Sequence, residues 1–475
     1  MNQIKMAARS GGAASLEEED VKGLAGRLRG KLVLPGEDGN DEARTIWNAM
    51  IDRRPGAVVR CAGAADVVRA VTFARDHDLV LSVRAGGHNI AGKAVGDGAL
   101  LLDLTPMTSV RVDPARRTAW VEPGVTLGEF DNEAQAYGLA TPLGINSTTG
   151  VAGLTLGGGF GWISRKYGMS IDNLVSVDIV TADGALRRAS ETENPDLFWA
   201  VRGGGGNFGV VTSFEFRLHP VGPEVLSGLI FHPQERAKEL LPRYRRIVAE
   251  APDELTCWVV LRKAPPLPFL PEAVHGTDVL IFAACYAGDM KEGEKAVAPL
   301  RALGTPIADV IGPHSFAGWQ AAFDPLLTPG ARNYWKSHDF TELSEAATDV
   351  MLDYTGRLPT PECEIFIGHL GGAVNRVAAD ATAYPHRDSD FIMNVHTRWQ
   401  DPAQDRACVQ WARGLFEATK PHATGGVYVN FLGEDEADRL PGAYGANLAR
   451  LAAIKAKYDP ANLFRVNQNI APKAA

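Results

Sequence analysis

From Pro55 onward the chain alternates short apolar runs with helical stretches. Val58–Cys61 is the first such run. Asp66 then stands as a candidate cap for a helix reaching Asp76, with Val67, Val68, Val71 and Ala74 on one side. Leu79–Val83 follows as a predicted strand, so the region opens β-α-β. Leu100–Leu104 and Thr118–Val121 predict further strands. Thr126, Leu127, Gly128 and Glu129 have the form of a capping box, and Gly138 supplies a stop for that helix. Val175, Val177 and Ile179 alternate with Ser176, Asp178 and Val180, as a half-buried strand requires. Asp183-Gly184 predicts a turn before a strand over Ala185–Ala189. Pro195–Val201 is helical in character, and Val210–Leu218 returns to strand.

After Pro220 the pattern changes. A proline-rich stretch, Ala264–Pro271, and the alternating run Val279–Cys285 predict a second, antiparallel sheet with long insertions. Phe391–His396 and Val427–Phe431 predict further strands. A helix is expected from about Tyr444 to Tyr458, ended by Asp459-Pro460. Residues before about Thr45 read as a polar lead-in with a helical stretch near Asp20–Arg29. These elements predict an α+β fold without internal repeats, divided near residue 222.

At 475 residues the chain exceeds one ordinary core, so about two or three domains are expected. Its 45% hydrophobic and 22% charged residues match a soluble globular protein. A net charge of −9 and the lack of any basic run argue against a broad nucleic-acid footprint. Apolar stretches such as Ala99–Leu104 and Val427–Leu432 are too short to span a bilayer. The N-terminus lacks the continuous apolar stretch of a secretion signal. Cys61, Cys257, Cys285, Cys363 and Cys408 are scattered without metal or redox spacing, so structural thiols in a reducing cytoplasm are the simplest reading.

Candidate chemistry lies in three glycine-rich segments. Arg84-Ala-Gly-Gly-His-Asn89 follows a predicted strand, where glycines let backbone N–H groups approach a phosphate. By itself it reads more readily as a turn than as a cofactor loop. Gly150–Gly161 is more than half glycine and alanine. Each glycine costs a helix interior about 1 kcal/mol, so such density points to something large lying against the backbone. Arg202–Gly209 contains Gly204, Gly206 and Gly209 in the spacing of a dinucleotide fingerprint. A helix precedes it and a strand follows, the reverse of what that fingerprint needs.

Arg84–Asn89, Thr149–Trp162, Asn194–Val211 and the end Tyr458-Asp-Pro-Ala-Asn-Leu-Phe through Asn467-Gln-Asn-Ile470 share order and spacing with a known family. They resemble the berberine-bridge-enzyme-like branch of the vanillyl-alcohol-oxidase superfamily. The resemblance covers roughly residues 54–222 and 424–472. It implies a two-part PCMH-type FAD-binding domain (1–222, core about 54–222), an inserted α+β substrate domain (223–423), and a segment (424–475) returning to the first. His88 falls where that family joins an imidazole nitrogen to the flavin 8α-methyl. Asn146 falls where many relatives carry a second, cysteine tether, so a single covalent link through His88 is expected. Thr149 falls where relatives control oxygen access.

The resemblance also implies cofactor contacts at Arg84, Ala85, Gly86, Gly87, His88, Asn89, Asn146, Thr148, Thr149, Gly150, Gly153, Gly157, Gly158, Gly159, Gly161, Gly206, Val210, Val211, Asn467 and Asn469. On the substrate side, Tyr428 is the expected base, Asn430 its neighbour, and Lys336 a cation able to lower the phenol pKa. Tyr334, Trp335, His369 and His396 are pocket candidates that also read as packing or surface residues. The expected reaction moves a hydride from a carbon beside oxygen or nitrogen of a small molecule to flavin N5, with oxygen as acceptor giving hydrogen peroxide. A dehydrogenase with another acceptor, or a flavin-holding protein without redox turnover, are the alternatives. No metal, nucleic-acid or membrane partner is expected, and the oligomeric state stays open.

Overall fold

The computed structural model describes residues 4–473 and is α+β. Among the described residues, two sheets, of four and five strands, lie before residue 222 beside two two-stranded pairs. In the first, Lys31–Val33, Ala57–Arg60, Leu100–Asp103 and Leu81–Arg84 lie side by side. Ala57–Arg60 and Leu81–Arg84 both run parallel to Leu100–Asp103. A parallel arrangement needs a crossover, which the helix Ala64–Asp76 provides by burying Val67, Ala70, Val71 and Ala74. The second sheet is antiparallel, in the order Leu186–Ser190, Leu174–Val180, Val210–Arg217, Thr118–Val121, Val110–Asp113. The Thr126 capping box is present, with Glu129 bonded back to Thr126. The helix Leu448–Tyr458 returns to this part of the chain, where Leu451, Ile454 and Tyr458 share a core with Leu197, Phe198 and Ala200.

Strands between Glu224 and Trp399 form the third sheet, eight-stranded among the described residues. From its middle to one edge Leu255–Lys263, Glu364–His369, Phe391–Trp399 and Arg332–Phe340 lie in that order, all antiparallel. Alternate side chains point to opposite faces. Cys257, Val259, Leu261, Ile365, Ile367, Met393 and Val395 pack into one core with residues of the helices Ala237–Ala249, Glu345–Thr355 and Asp405–Thr419. The intervening positions, Trp258, Glu364, Phe366, Asn394 and His396, line a cavity on the other face.

Four expectations need correction. The lead-in is structured: Ile4–Ala7 and Ala13–Leu16 form a hairpin, and Met6, Leu16, Val21 and Leu24 join the core beneath the parallel sheet. Strands this short carry too little alternation to show. Asp66 does not cap its helix, which starts at Ala64 after Gly63. Its carboxylate instead accepts the backbone N–H groups of Arg29, Gly30 and Ala62, tying the first residues to the sheet. Val427–Phe431 is not a strand, because Val429–Phe431 closes into a 3-10 turn with the Phe431 N–H on the Tyr428 carbonyl. The last long helix begins at Leu448, after the short helix Leu440–Tyr444 and a 3-10 turn.

Candidate active site

The first two glycine segments meet directly. A side chain on Gly86 would overlap the backbone of Gly150, and a Cβ on Gly150 would lie 2.6 Å from the Gly86 nitrogen. The third segment makes a 3-10 turn, Gly205–Asn207, before the strand Val210–Arg217. These segments, with Phe464, Val466, Asn467 and Gln468, enclose a cavity of about 370 Å³ that extends to the substrate-side sheet.

The expected residues divide in two. Ala85, Gly86, Gly87, His88, Asn89, Asn146, Thr149, Gly150, Gly153, Gly206, Val210, Val211 and Asn467 line the cavity. Arg84, Thr148, Gly157, Gly158, Gly159, Gly161 and Asn469 do not. Arg84 turns to Asp103, with Nη1 3.3 Å from Oδ1. Gly157 leaves room for the Asn430 amide, Gly158 for Met169 and Tyr428, Gly159 for Ser170 and Gly161 for the Leu143 carbonyl. Four of the six glycines in Gly150–Gly161 therefore serve the protein's own close packing. Sequence reasoning missed Trp47, Lys93, Asn207 and Gln468, which also line the cavity. Trp47 follows directly on the stretch read as a lead-in, where no periodicity marked it.

His88 is held on three sides. Its ring stacks on Trp47 at 5.2 Å and 21°. Nε2 lies 3.2 Å from the Thr148 hydroxyl and Nδ1 3.4 Å from that of Thr149. Thr148 in turn donates to Asn146 Oδ1 at 2.7 Å. Desolvation at the cavity wall pushes His88 down to about 4, so its ring is neutral and keeps a nucleophilic nitrogen at neutral pH.

The cavity fits FAD. Side chains would fill its walls wherever glycine stands. Asn467 Oδ1, on a residue of the cavity wall, is buried without a protein partner, as an acceptor awaiting a donor. His88 supplies a neutral imidazole at the wall.

On the substrate side the turn at Val429–Phe431, rather than a strand, brings Tyr428 and Asn430 together. The Tyr428 hydroxyl accepts the Gly159 N–H and the Asn430 amide, each at 2.9 Å. Burial raises its pKa to about 12 despite those bonds. Lys336 is not a neighbour of this phenol. It pairs with Asp435 at 2.9 Å and Glu436 at 3.4 Å. Tyr334 also bonds Asp435, at 2.7 Å, as does Arg413. Burial raises Asp435, but hydrogen bonds from Tyr334, Lys336 and Arg413 outweigh it and hold its pKa at about 2. Tyr334 and Lys336 thus belong to an ion cluster outside the cavity lining. His369 is likewise turned away, 3.1 Å from Arg165 Nη1. Trp335 and His396 do line the cavity.

The family described as "FAD binding domain" matches residues 55–190, and that described as "Berberine and berberine like" matches residues 427–471. An FAD-linked oxidoreductase of Dictyostelium discoideum is 32% identical, over 90% of this chain and 91% of that protein. Chitooligosaccharide oxidase of Gibberella zeae is 29% identical, over 91% and 90%. The crystal structure of 6-hydroxy-D-nicotine oxidase from Arthrobacter nicotinovorans superposes with a TM-score of 0.84 at 29% identity, covering 94% of this chain and 98% of that one. None of the described helices is long and apolar enough to cross a membrane.

Proposed function

Since the chain belongs to the berberine-bridge-enzyme-like FAD-linked oxidoreductases, we propose that it is an oxidase holding its flavin through one covalent bond to His88 and acting on a carbon that bears oxygen or nitrogen in a small molecule. The flavin, when bound, supplies the hydride acceptor at N5 and passes the electrons on to oxygen. Support for the tether comes chiefly from His88: a neutral imidazole fixed on Trp47 and flanked by two threonine hydroxyls at the cavity wall. Asn146 supplies no sulfur for a second link, and the five cysteines are buried elsewhere. Those five free thiols also favour a reducing, cytoplasmic setting. Oxygen as acceptor is supported by the oxidase relatives and by the modest side chain of Thr149 in the cavity wall. We also propose that residues 1–222 and 424–475 form one flavin-binding unit around a substrate domain at 223–423.

Acid-denatured protein run on a gel should fluoresce yellow-green at full chain size, and His88→Ala should remove that band entirely. Release of all flavin as free FAD from the unmodified chain refutes the tether. A flavinylated peptide surviving in His88→Ala would reveal a second link.

A further inference from the structure

One row of side chains crosses the substrate-side sheet. Arg262 is the register partner of Glu364, Glu364 of His396, and His396 of Trp335. The four therefore share the face opposite the helix-covered core. Arg262 Nη1 lies 2.6 Å from Glu364 Oε2, and His396 Nδ1 lies 3.0 Å from Glu364 Oε1. Each carboxylate oxygen thus has one partner. His396 is 5% exposed, and its Nε2 has no partner in the protein although the residue lines the cavity. Asn394 Oδ1 and Trp335 Nε1, beside it on the same wall, are also unpartnered.

We propose that His396 is the catalytic proton acceptor, positioned by Glu364 and Arg262, and that its substrate is a neutral alcohol with an aromatic body. The proposal rests on the oxidoreductase reading above. Burial raises Glu364, but Arg262 and His396 outweigh it and hold its pKa at about 2. An ionised carboxylate has no proton to give, so the Nδ1–H of His396 donates to it, which leaves the lone pair on the unpartnered Nε2 of this cavity-wall residue. As the substrate O–H proton passes to Nε2, the O–H pair becomes the second carbon–oxygen bond. In the same step the carbon releases its hydrogen with two electrons to the family's flavin, which balances the step. Glu364, with Arg262 and Arg398 as the charges acting on it, remains ionised and stabilises the imidazolium.

The alcohol assignment follows from the walls. Phe160, Trp258, Phe366, Phe431 and Trp335 surround this end of the cavity. Glu364 is the acidic residue among the described lining residues, and both its oxygens are already engaged. A protonated amine would find no free carboxylate there.

Tyr428 is the competing base. The two hydrogen bonds arriving at its oxygen favour the phenolate, but burial outweighs them and raises its pKa, so it is better suited to donate its O–H.

The test uses the flavin-loaded protein and 4-nitrophenol, whose anion absorbs visibly. Wild type should hold it as the phenolate below the pH at which it ionises in solution, whereas His396→Asn should bind it neutral or not at all. Anaerobic bleaching by benzyl alcohol and 1-phenylethanol should slow by on the order of 10²–10⁴-fold in His396→Asn at unchanged flavin content. Imidazole added to His396→Ala should restore part of the rate. Glu364→Gln should slow bleaching and change its pH profile without altering flavin content. Phenolate in both proteins, its absence from wild type, or bleaching slowed less than threefold overturns the assignment. If no alcohol or amine bleaches wild type, the oxidoreductase reading fails instead, and the nitrophenol spectra still decide the proton acceptor.

Discussion

The Tyr428 hydroxyl oxygen lies 2.9 Å from the Gly159 amide nitrogen and accepts its hydrogen bond. This contact joins the segment around Val427 to the second glycine segment, and Asn430 adds a second donor to the same oxygen. Removing the hydroxyl therefore strands a buried N–H.

Tyr428→Phe should cost about 1–3 kcal/mol of stability through that unsatisfied amide. Its effect on anaerobic flavin reduction should be only several-fold, the worth of about one neutral hydrogen bond. Stopped-flow bleaching separates this from the loss of a general base. A fall of a hundredfold or more would return Tyr428 to the role of proton acceptor.

Lys455 and Asp459 are fully buried and paired at 2.6 Å. The lysine also donates to the carbonyls of Asn207 and Phe464, two residues of the cavity wall. Lys455→Met leaves Asp459 buried without its cation, which should cost about 3–5 kcal/mol in urea unfolding. Flavin content, read from the visible-to-ultraviolet absorbance ratio, should fall as well. Adding Asp459→Asn should recover part of the stability. An unchanged unfolding midpoint in Lys455→Met would contradict this account.

Asp131 is buried beside Gln320, whose Nε2 donates to Oδ2 at 3.0 Å. Burial raises its pKa to about 7 even with that bond. Between about pH 4 and pH 7 the unfolded chain has lost this proton while the folded one keeps it. The stability it contributes is thus complete below pH 4 and lost as pH rises through 7. The difference amounts to on the order of 4 kcal/mol. Asp131→Asn, which cannot ionise, should gain on wild type across that window in urea melts. A gap that stays constant from pH 4 to pH 8 would disprove the linkage.

Much of the flavin-side site was legible in the chain itself. Gly86 and Gly150 mark a close backbone approach and Gly87 a backbone with φ of 70°, and that signal is local. His88 stands within one such segment, and its place beside a cofactor came from the family resemblance rather than from the glycines. Strands such as Thr118–Val121 were visible because they bury one face and so leave a period in the sequence. The same signal misled at Gly157–Gly161, where glycine makes room for Asn430, Ser170 and Leu143 rather than for a ligand. A missing side chain does not say what fills its place.

The substrate side was decided by tertiary structure. Glu364 and His396 lie on separate strands, and neither flanking sequence distinguishes them from packing residues. Only strand pairing sets Arg262, Glu364, His396 and Trp335 in one row and turns that row toward the cavity. Lys336 shows the converse. Its neighbours in sequence suggested a cation near Tyr428, but the fold gives it to Asp435 and Glu436. Local patterning depends on which face each residue buries, and the chain carries that directly. Which charges meet depends on register between distant segments, and that exists only once the sheet has formed.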